Sequence, residues 1–266
     1  MPQRWCVHYS HWSECRVILA RMGFSVRAVN TASDSENRIH DDSAAAEYGF
    51  RGGLVPGVTV YGYMAAAVIE HFGAAWLDRG AMDVRFQQPV YNGDQVEVLI
   101  HPEMNGRVRV EAGDSAIATA WIGDGISPRR DKWDERSIER RAASIEKLAP
   151  GTVLGTLVER LDLGASKMSA PLDPSIGGRA HPAVLLALAN RILVSNYELG
   201  PWIHVASEVR KFRAARDGEE LRVFGKVEDR YERKGHEFVV LDVWIAGGDP
   251  IEQVRHTAIW RPRVTR

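Results

Sequence analysis

The chain has 266 residues, of which 45% are apolar, with two cysteines and a formal net charge of −1. That is enough apolar material for one large or two small domains, and the near-neutral charge excludes a basic field for nucleic acid or a polybasic membrane-binding surface. Two cysteines make neither a disulfide framework nor a zinc site, and no stretch has the length of a transmembrane helix or the layout of a cleaved signal. The expectation is a cytoplasmic protein without metal or cofactor.

Residues 1–21, MPQRWCVHYSHWSECRVILAR, hold both cysteines and share no turn chemistry with the residues after them. Two readings stand: translation begins at Met22 and this stretch is an atypical extension, or it is an ordinary N-terminal helix. Cys6, His8, His11 and Cys15 form a loose group of metal-ligand types, but nothing else in the chain supports zinc. Phe24 to Asn30 alternates apolar and polar residues and predicts a strand. A polar loop, Thr31 to Asn37, leads to a short helix over Ala44 to Tyr48, capped by Asp42 or Ser43 and ended by Gly49. The next loop, Gly49 to Gly57, carries four glycines and Pro56, and cannot be a regular element. A helix over about Val58 to Phe72 comes next. It has almost no polar face before Glu70, which predicts burial on all sides. Strands are predicted over 83–88, 94–102, 107–112 and 116–122, the first two joined through the turn signal Asn92-Gly93.

Ser127 to Ala149 is dense in charge and reads as a connecting helix, with Trp133, Ile138, Ile145 and Leu148 as its apolar positions. Pro150-Gly151 ends it, and the plan then repeats. The second round has a strand over 152–161, a Pro/Gly-rich loop over 171–182, a second apolar helix over 182–197, and strands over 205–212, 220–231, 237–246 and 252–260. The pairs Val84/Val209, Arg85/Arg210, Gly93/Gly218, Asp94/Glu219 and Val98/Val223 share one spacing, the distance from residue 84 to residue 209. Both helices start at that same offset. The pattern predicts an internal duplication, with two helix-plus-sheet units in tandem. The chain divides into an extension (1–21), a first half (22–126), a helical linker (127–150) and a second half (151–266).

His40 breaks the duplication, because Ala165 stands at its offset position. An asymmetric polar turn on a symmetric scaffold marks a candidate site. A histidine titrating near neutrality can take a proton from water or from a carbon beside a carbonyl. It needs an orienting partner, and Asp34, Glu36, Asn37, Asp41 and Asp42 all lie within a few residues. The first N–H groups of the buried helix, at Gly57 and Val58, lack intrahelical acceptors and lie at the positive end of its dipole. They form a ready site for a thioester oxygen. Glycine at 57 leaves a substrate room to approach.

The string NRIHDDSAAAEYGFRGGLVPGVTVYGYM resembles the MaoC-like (R)-specific enoyl-CoA hydratase and dehydratase family, of the double-hotdog type. The resemblance covers residues 33–64 in motif and most of 22–260 in plan. It implies an α+β double hotdog: two antiparallel sheets, each wrapped around a long buried central helix. It implies a lyase that hydrates a 2-enoyl thioester, or dehydrates a 3-hydroxyacyl thioester, carried on coenzyme A or acyl carrier protein. No nucleic acid or membrane partner is implied, and a homodimer of such chains is allowed. By residue, His40 matches the family's histidine, Asn37 its asparagine, Ile39 its aliphatic residue and Gly57 the glycine that holds the thioester oxygen. Val58, Ser35 and Tyr61 join Gly57 as expected substrate-binding residues. Two positions depart: Arg38 replaces a proline, and Ser35 stands where the catalytic aspartate is expected, flanked by Asp34 and Glu36. Either neighbour would have to supply the missing carboxylate. The alternatives are a thioesterase, with Glu70 as its acidic residue, and a non-catalytic acyl-thioester-binding protein.

Overall fold

The structure is a computed structural model that describes residues 22–127, 134–166, 168 and 172–264. The readings made for residues 1–21, including Cys6, His8, His11 and Cys15, and for Trp133 lie outside the described residues.

In the first half, β1 (Met22–Arg27) precedes a short helix α1 (Asp42–Ala46) and the central helix α2 (Gly57–Phe72). Then come α3 (Ala75–Arg79), β2 (Gly80–Phe86), β3 (Gln95–Pro102), β4 (Arg107–Ala112) and β5 (Ala116–Ile122). The second half has β6 (Leu157–Arg160), the central helix α4 (Pro182–Asn196), β7 (Ile203–Lys211), β8 (Glu220–Arg233), β9 (His236–Gly247) and β10 (Asp249–Arg261). Strand alternation sets the inner face: Val96, Val98 and Ile100 on β3, and Val108, Val110 and Ala112 on β4, are buried while their neighbours are not. The α2 residues Val60, Tyr61, Tyr63, Met64 and Val68 are buried, as the apolar sequence of this helix requires.

The ten strands form one continuous antiparallel sheet in the order β1-β3-β4-β5-β2-β7-β10-β9-β8-β6. This order is a palindrome about the β2–β7 seam, where Ala81 pairs with Arg210 and Arg85 with Ala206. The two five-stranded sheets of the double hotdog are thus joined edge to edge, and neither leaves its inner edge unpaired. The equivalent turn glycines Gly93 and Gly218 both take positive φ, 86° and 75°, which only glycine adopts freely. The two helices pack against each other where α2 carries Gly62. A Cβ there would come within 2.6 Å of Leu172 and 3.2 Å of the Ala183 Cβ.

Two local expectations are corrected. The cap of α1 is Asp41, whose side chain accepts from Ala44 N at 2.9 Å, rather than Asp42 or Ser43. Residues 134–149 do not form the connecting helix. They run without regular structure to residue 140, then add a two-residue strand, Arg141–Ala142, parallel to Tyr197–Glu198. A helix there would have no apolar stripe to bury: Leu148 is buried, but Ile138 and Ile145 remain 37% and 40% exposed. The strap is held by other means. Thr156 N donates to Arg136 O at 2.8 Å, Arg136 N donates to Thr156 Oγ1 at 3.1 Å, and Glu135 pairs with Arg222. Gly155 lets the strap cross closely, since a Cβ there would stand 2.6 Å from Ile138 Cα.

One buried ion pair lies beside the seam. Lys211 on β7 and Glu252 on β10 are cross-strand partners, bonded to each other and almost wholly buried. Lys211→Met leaves the Glu252 carboxylate buried and unpaired, and is expected to cost about 3–5 kcal/mol. The double variant Lys211→Met/Glu252→Leu removes both charges and is expected to recover most of that loss. Urea unfolding of the three proteins measures it. Equal stability of the single and double variants would show that the pair is not coupled.

Candidate functional site

The site begins at a single 3₁₀ turn, Arg38–His40, capped by Asn37. Its backbone is pinned from three sides. Asn30 Nδ2 donates to His40 O at 2.8 Å. Leu54 N donates to Ile39 O at 3.1 Å. Gly53 passes so close that a Cβ on it would lie 2.0 Å from His40 O. The loop glycine at 53 is therefore a close-approach position.

The His40 ring is fixed by Leu54 O, 2.7 Å from Nδ1. A carbonyl only accepts, so Nδ1 carries the proton and Nε2 keeps its lone pair. Burial holds the ring's pKa below the ordinary histidine value, and the Leu54 carbonyl opposes this only in part. At neutral pH the ring is a neutral imidazole whose Nε2 lone pair faces the donor amide of Asn37. Asn37 Nδ2 stands 3.4 Å from that Nε2. The same amide latches the turn to the second half: Asn37 Nδ2 donates to Trp202 O at 3.0 Å and Asn37 Oδ1 accepts from Trp202 N at 3.1 Å.

The N-terminus of α2 meets this turn. Thr59 N and Val60 N both donate to Pro56 O, at 2.9 and 3.3 Å. Gly57 and Val58 precede them and have no intrahelical acceptor for their N–H groups. Gly57 lines a cavity of about 250 Å³ together with His40, Asn37, Phe86 and His204. Val58 lines a second one of about 630 Å³, between α2 and α4, with Leu161, Leu172, Ala183 and Ala187. Asn37, His40, Pro56, Asn190 and Trp202 border both. The imidazole thus stands where two chambers meet.

The other expected site residues are placed less uniformly. Ser35 borders the larger chamber, and its hydroxyl donates to Asn37 O at 3.3 Å. Asp34 is exposed. Glu36 also borders the larger chamber, but its carboxylate turns outward to Arg140 of the strap, 2.6 Å away. Among the described residues no carboxylate hydrogen-bonds or ion-pairs with His40, so neither Asp34 nor Glu36 supplies the expected partner. Tyr61 points the other way, into the core. It is fully buried, its hydroxyl has no partner, and burial followed by the nearby Glu252 raises its pKa well above the usual phenol value. Tyr61 borders neither chamber. Glu70 is exposed near the C-terminal end of α2, away from the site.

The second half contributes more than walls. His204, Ser207 and His256 form a buried chain: His204 Nε2 to Ser207 Oγ at 2.8 Å, and Ser207 Oγ to His256 Nδ1 at 3.2 Å. His204 lies against Gly57. No local motif announces these residues. The available signal was period: His256 shares an inward strand face with Val254 and Ala258. Among the described residues no group of three His, Cys, Asp or Glu is placed to hold a metal ion, and no helix is long and apolar enough to cross a membrane.

Residues 31–119, from the polar loop through most of β5, match the family described as MaoC like domain. The match lies within the first half. A search of curated proteins gives no match. Among solved structures, the chain is similar to a protein from Chloroflexus aurantiacus J-10-fl described as a MaoC domain dehydratase. The identity is 9%, the TM-score 0.60, and the alignment covers 91% of this chain and 96% of that one. It is similar to a Mycobacterium tuberculosis protein with a double hotdog fold, at 12% identity and TM-score 0.54, covering 89% and 96%. It is also similar to a Lactobacillus plantarum protein described as an oleoyl thioesterase, at 10% identity and TM-score 0.52, covering 92% and 98%. At such identities the likeness is one of fold. The matched segment carries His40 and Gly57, and the second hotdog half, outside the match, carries Trp202 and His204.

Proposed function

We propose that the protein hydrates a 2-enoyl thioester, or runs the same reaction in reverse as a 3-hydroxyacyl dehydratase. The observation that carries this reading is the His40 ring. Its Nδ1–H is tied to the Leu54 carbonyl, and its Nε2 is left as a base at the junction of two chambers beside the start of α2. His40 Nε2 takes a proton from water as the oxygen adds to C3. The thioester oxygen gains negative charge and is met by the N–H at Gly57 and the positive end of α2. The imidazolium returns its proton to C2, which completes the addition of water and restores the neutral base.

The larger chamber suits the acyl chain, with a lining that includes Val58, Leu161, Met168, Leu172, Val184 and Ala187. Its volume favours chains longer than crotonyl. Loss of enoyl absorbance with a graded series of enoyl-CoA thioesters tests both points. Ala187→Phe is expected to lower kcat/KM for the longest substrates by about 10-fold or more, while sparing crotonyl-CoA, because the ring fills the chamber and not the junction. Absence of turnover across short, long and branched enoyl thioesters would refute the hydratase reading.

One observation favours a second reading. With no carboxylate bonded to His40, water is held by the imidazole alone, and the chain would serve as an acyl-thioester-binding protein without turnover. Saturation by acyl-CoA in calorimetry, with no change in enoyl absorbance, is its signature. The thioesterase reading has less support, since Glu70 is exposed and remote from the junction.

A further inference from the structure

His204 is a polar residue that the mechanism above leaves unused. Its ring is buried and its Nδ1 has no partner among the described residues. A buried polar atom without a partner is costly, and so calls for an explanation. The ring is held firmly: Nε2 bonds Ser207, the edge of Phe86 meets it at 4.8 Å between centroids, and the His256 ring lies at 4.3 Å. Its unpaired nitrogen lies against Gly57, where a Cβ would stand 3.1 Å from Nδ1. Only glycine lets the start of α2 pack this closely on the ring. His204 and Gly57 border the same cavity as His40.

The hydrogen-bond chain has two possible directions. In one, His204 Nε2–H donates to Ser207 Oγ and the Ser207 hydroxyl donates to His256 Nδ1. The proton on His256 is then on Nε2, which is buried and has no partner. In the other, His256 Nδ1–H donates to Ser207 Oγ and the Ser207 hydroxyl donates to His204 Nε2. His204 then carries its proton on Nδ1, beside the cavity. Each direction leaves one N–H without a partner, on His256 Nε2 in the first and on His204 Nδ1 in the second; the second is favoured because His204, unlike His256, borders the cavity that His40 and Gly57 line. Burial pushes both rings toward the neutral form, His256 down to about 3, and His204 well below the usual value with the His256 ring adding to the effect. The Ala206 carbonyl acts in the opposite sense on His204 without closing a hydrogen bond to Nδ1.

We propose that His204, set by Ser207 and His256, is a site residue supplied by the second half, a neutral Nδ1–H donor that joins the Gly57 N–H in binding the thioester oxygen. This rests on the thioester reading above and gives the hotdog half without the family motif a chemical part in the site.

The test uses full-length protein labelled with ¹⁵N-histidine and a saturated acyl-CoA, which binds without reacting. The expected result is a proton on His204 Nδ1 whose resonance moves downfield when the thioester is added. His204→Phe keeps the ring volume and is expected to lower kcat on an enoyl-CoA by about 10²–10³-fold with a smaller change in KM, as removal of one oxyanion donor does. Ser207→Ala, which frees the tautomer, is expected to fall between His204→Phe and the parent. A bound thioester that leaves His204 unprotonated at Nδ1, or its resonance unmoved, overturns the proposal whatever the turnover. Failure of every thioester to bind overturns it as well. A moved resonance with no turnover overturns the hydratase reading and leaves this one standing.

Discussion

On the hydratase reading, His40→Gln is expected to lower kcat on the preferred enoyl thioester by about 10²–10⁴-fold, the usual worth of a positioned general base. Glutamine retains an N–H for the Leu54 carbonyl and keeps the turn packed, but it has no basic nitrogen. Binding of a saturated acyl-CoA is therefore expected to change by only a few-fold. The pH profile of the parent protein gives an independent reading. The base acts when unprotonated, and burial lowers its pKa from 6.5. The rate is therefore expected to stay level from neutral pH to below 6.5, and to fall only as pH drops through the depressed value. An acid limb at or above pH 7, or a His40→Gln enzyme with parental kcat, would remove His40 from the chemistry.

The parts of this site that were legible in the sequence share one property: they are local. Asn37, His40 and Gly57 lie within one loop and one helix start, and the spacing that groups them is set by chain connectivity. The duplication was legible for a related reason, since Gly93 and Gly218 both need positive φ and the flanking valines both face a core. What sequence reading missed depends on contacts between the halves. Trp202 holds Asn37 through backbone groups, which carry no residue signature. His204 reaches Gly57 only because β2 and β7 pair across the seam. The expected carboxylates failed for a geometric reason, since Arg140 of the extended strap draws Glu36 outward. The strap is not the helix its charge density predicts, because Glu135 and Arg140 pair with Arg222 in the second half and Glu36 in the first. Tyr61 was misassigned by helical phase: it lies one turn beyond Gly57 but faces the core.

Acid is expected to unfold this protein early, because three buried histidines are held below their ordinary pKa. His181 caps α4 with its Nδ1 accepting from Ala183 N at 3.2 Å, a role that needs an unprotonated nitrogen. Burial, then the charge of Lys211, holds its pKa down to about 4. His256 is held at about 3 and His204 also lies well below 6.5. In each case the folded pKa is below the unfolded value of 6.5, so between those values the unfolded chain binds more protons. The stabilisation is complete above pH 6.5 and is lost as pH falls toward the folded values. Each such histidine contributes a slope of up to about 1.4 kcal/mol per pH unit, so the three together reach about 4 kcal/mol per unit near pH 5. A domain stable by about 5–15 kcal/mol cannot withstand many such units. Urea unfolding at pH 7.5, 6 and 5 is expected to show the loss, with the salt-bridged carboxylates Asp94 and Glu219 adding to it only at lower pH. His256→Phe removes one of the three groups and is expected to reduce the slope by about a third, even if packing strain lowers the plateau. A parental stability that stays level from pH 7.5 to 5 would mean that these rings are protonated or hydrated in the folded state, and that the buried chain from His256 to Gly57 is not neutral.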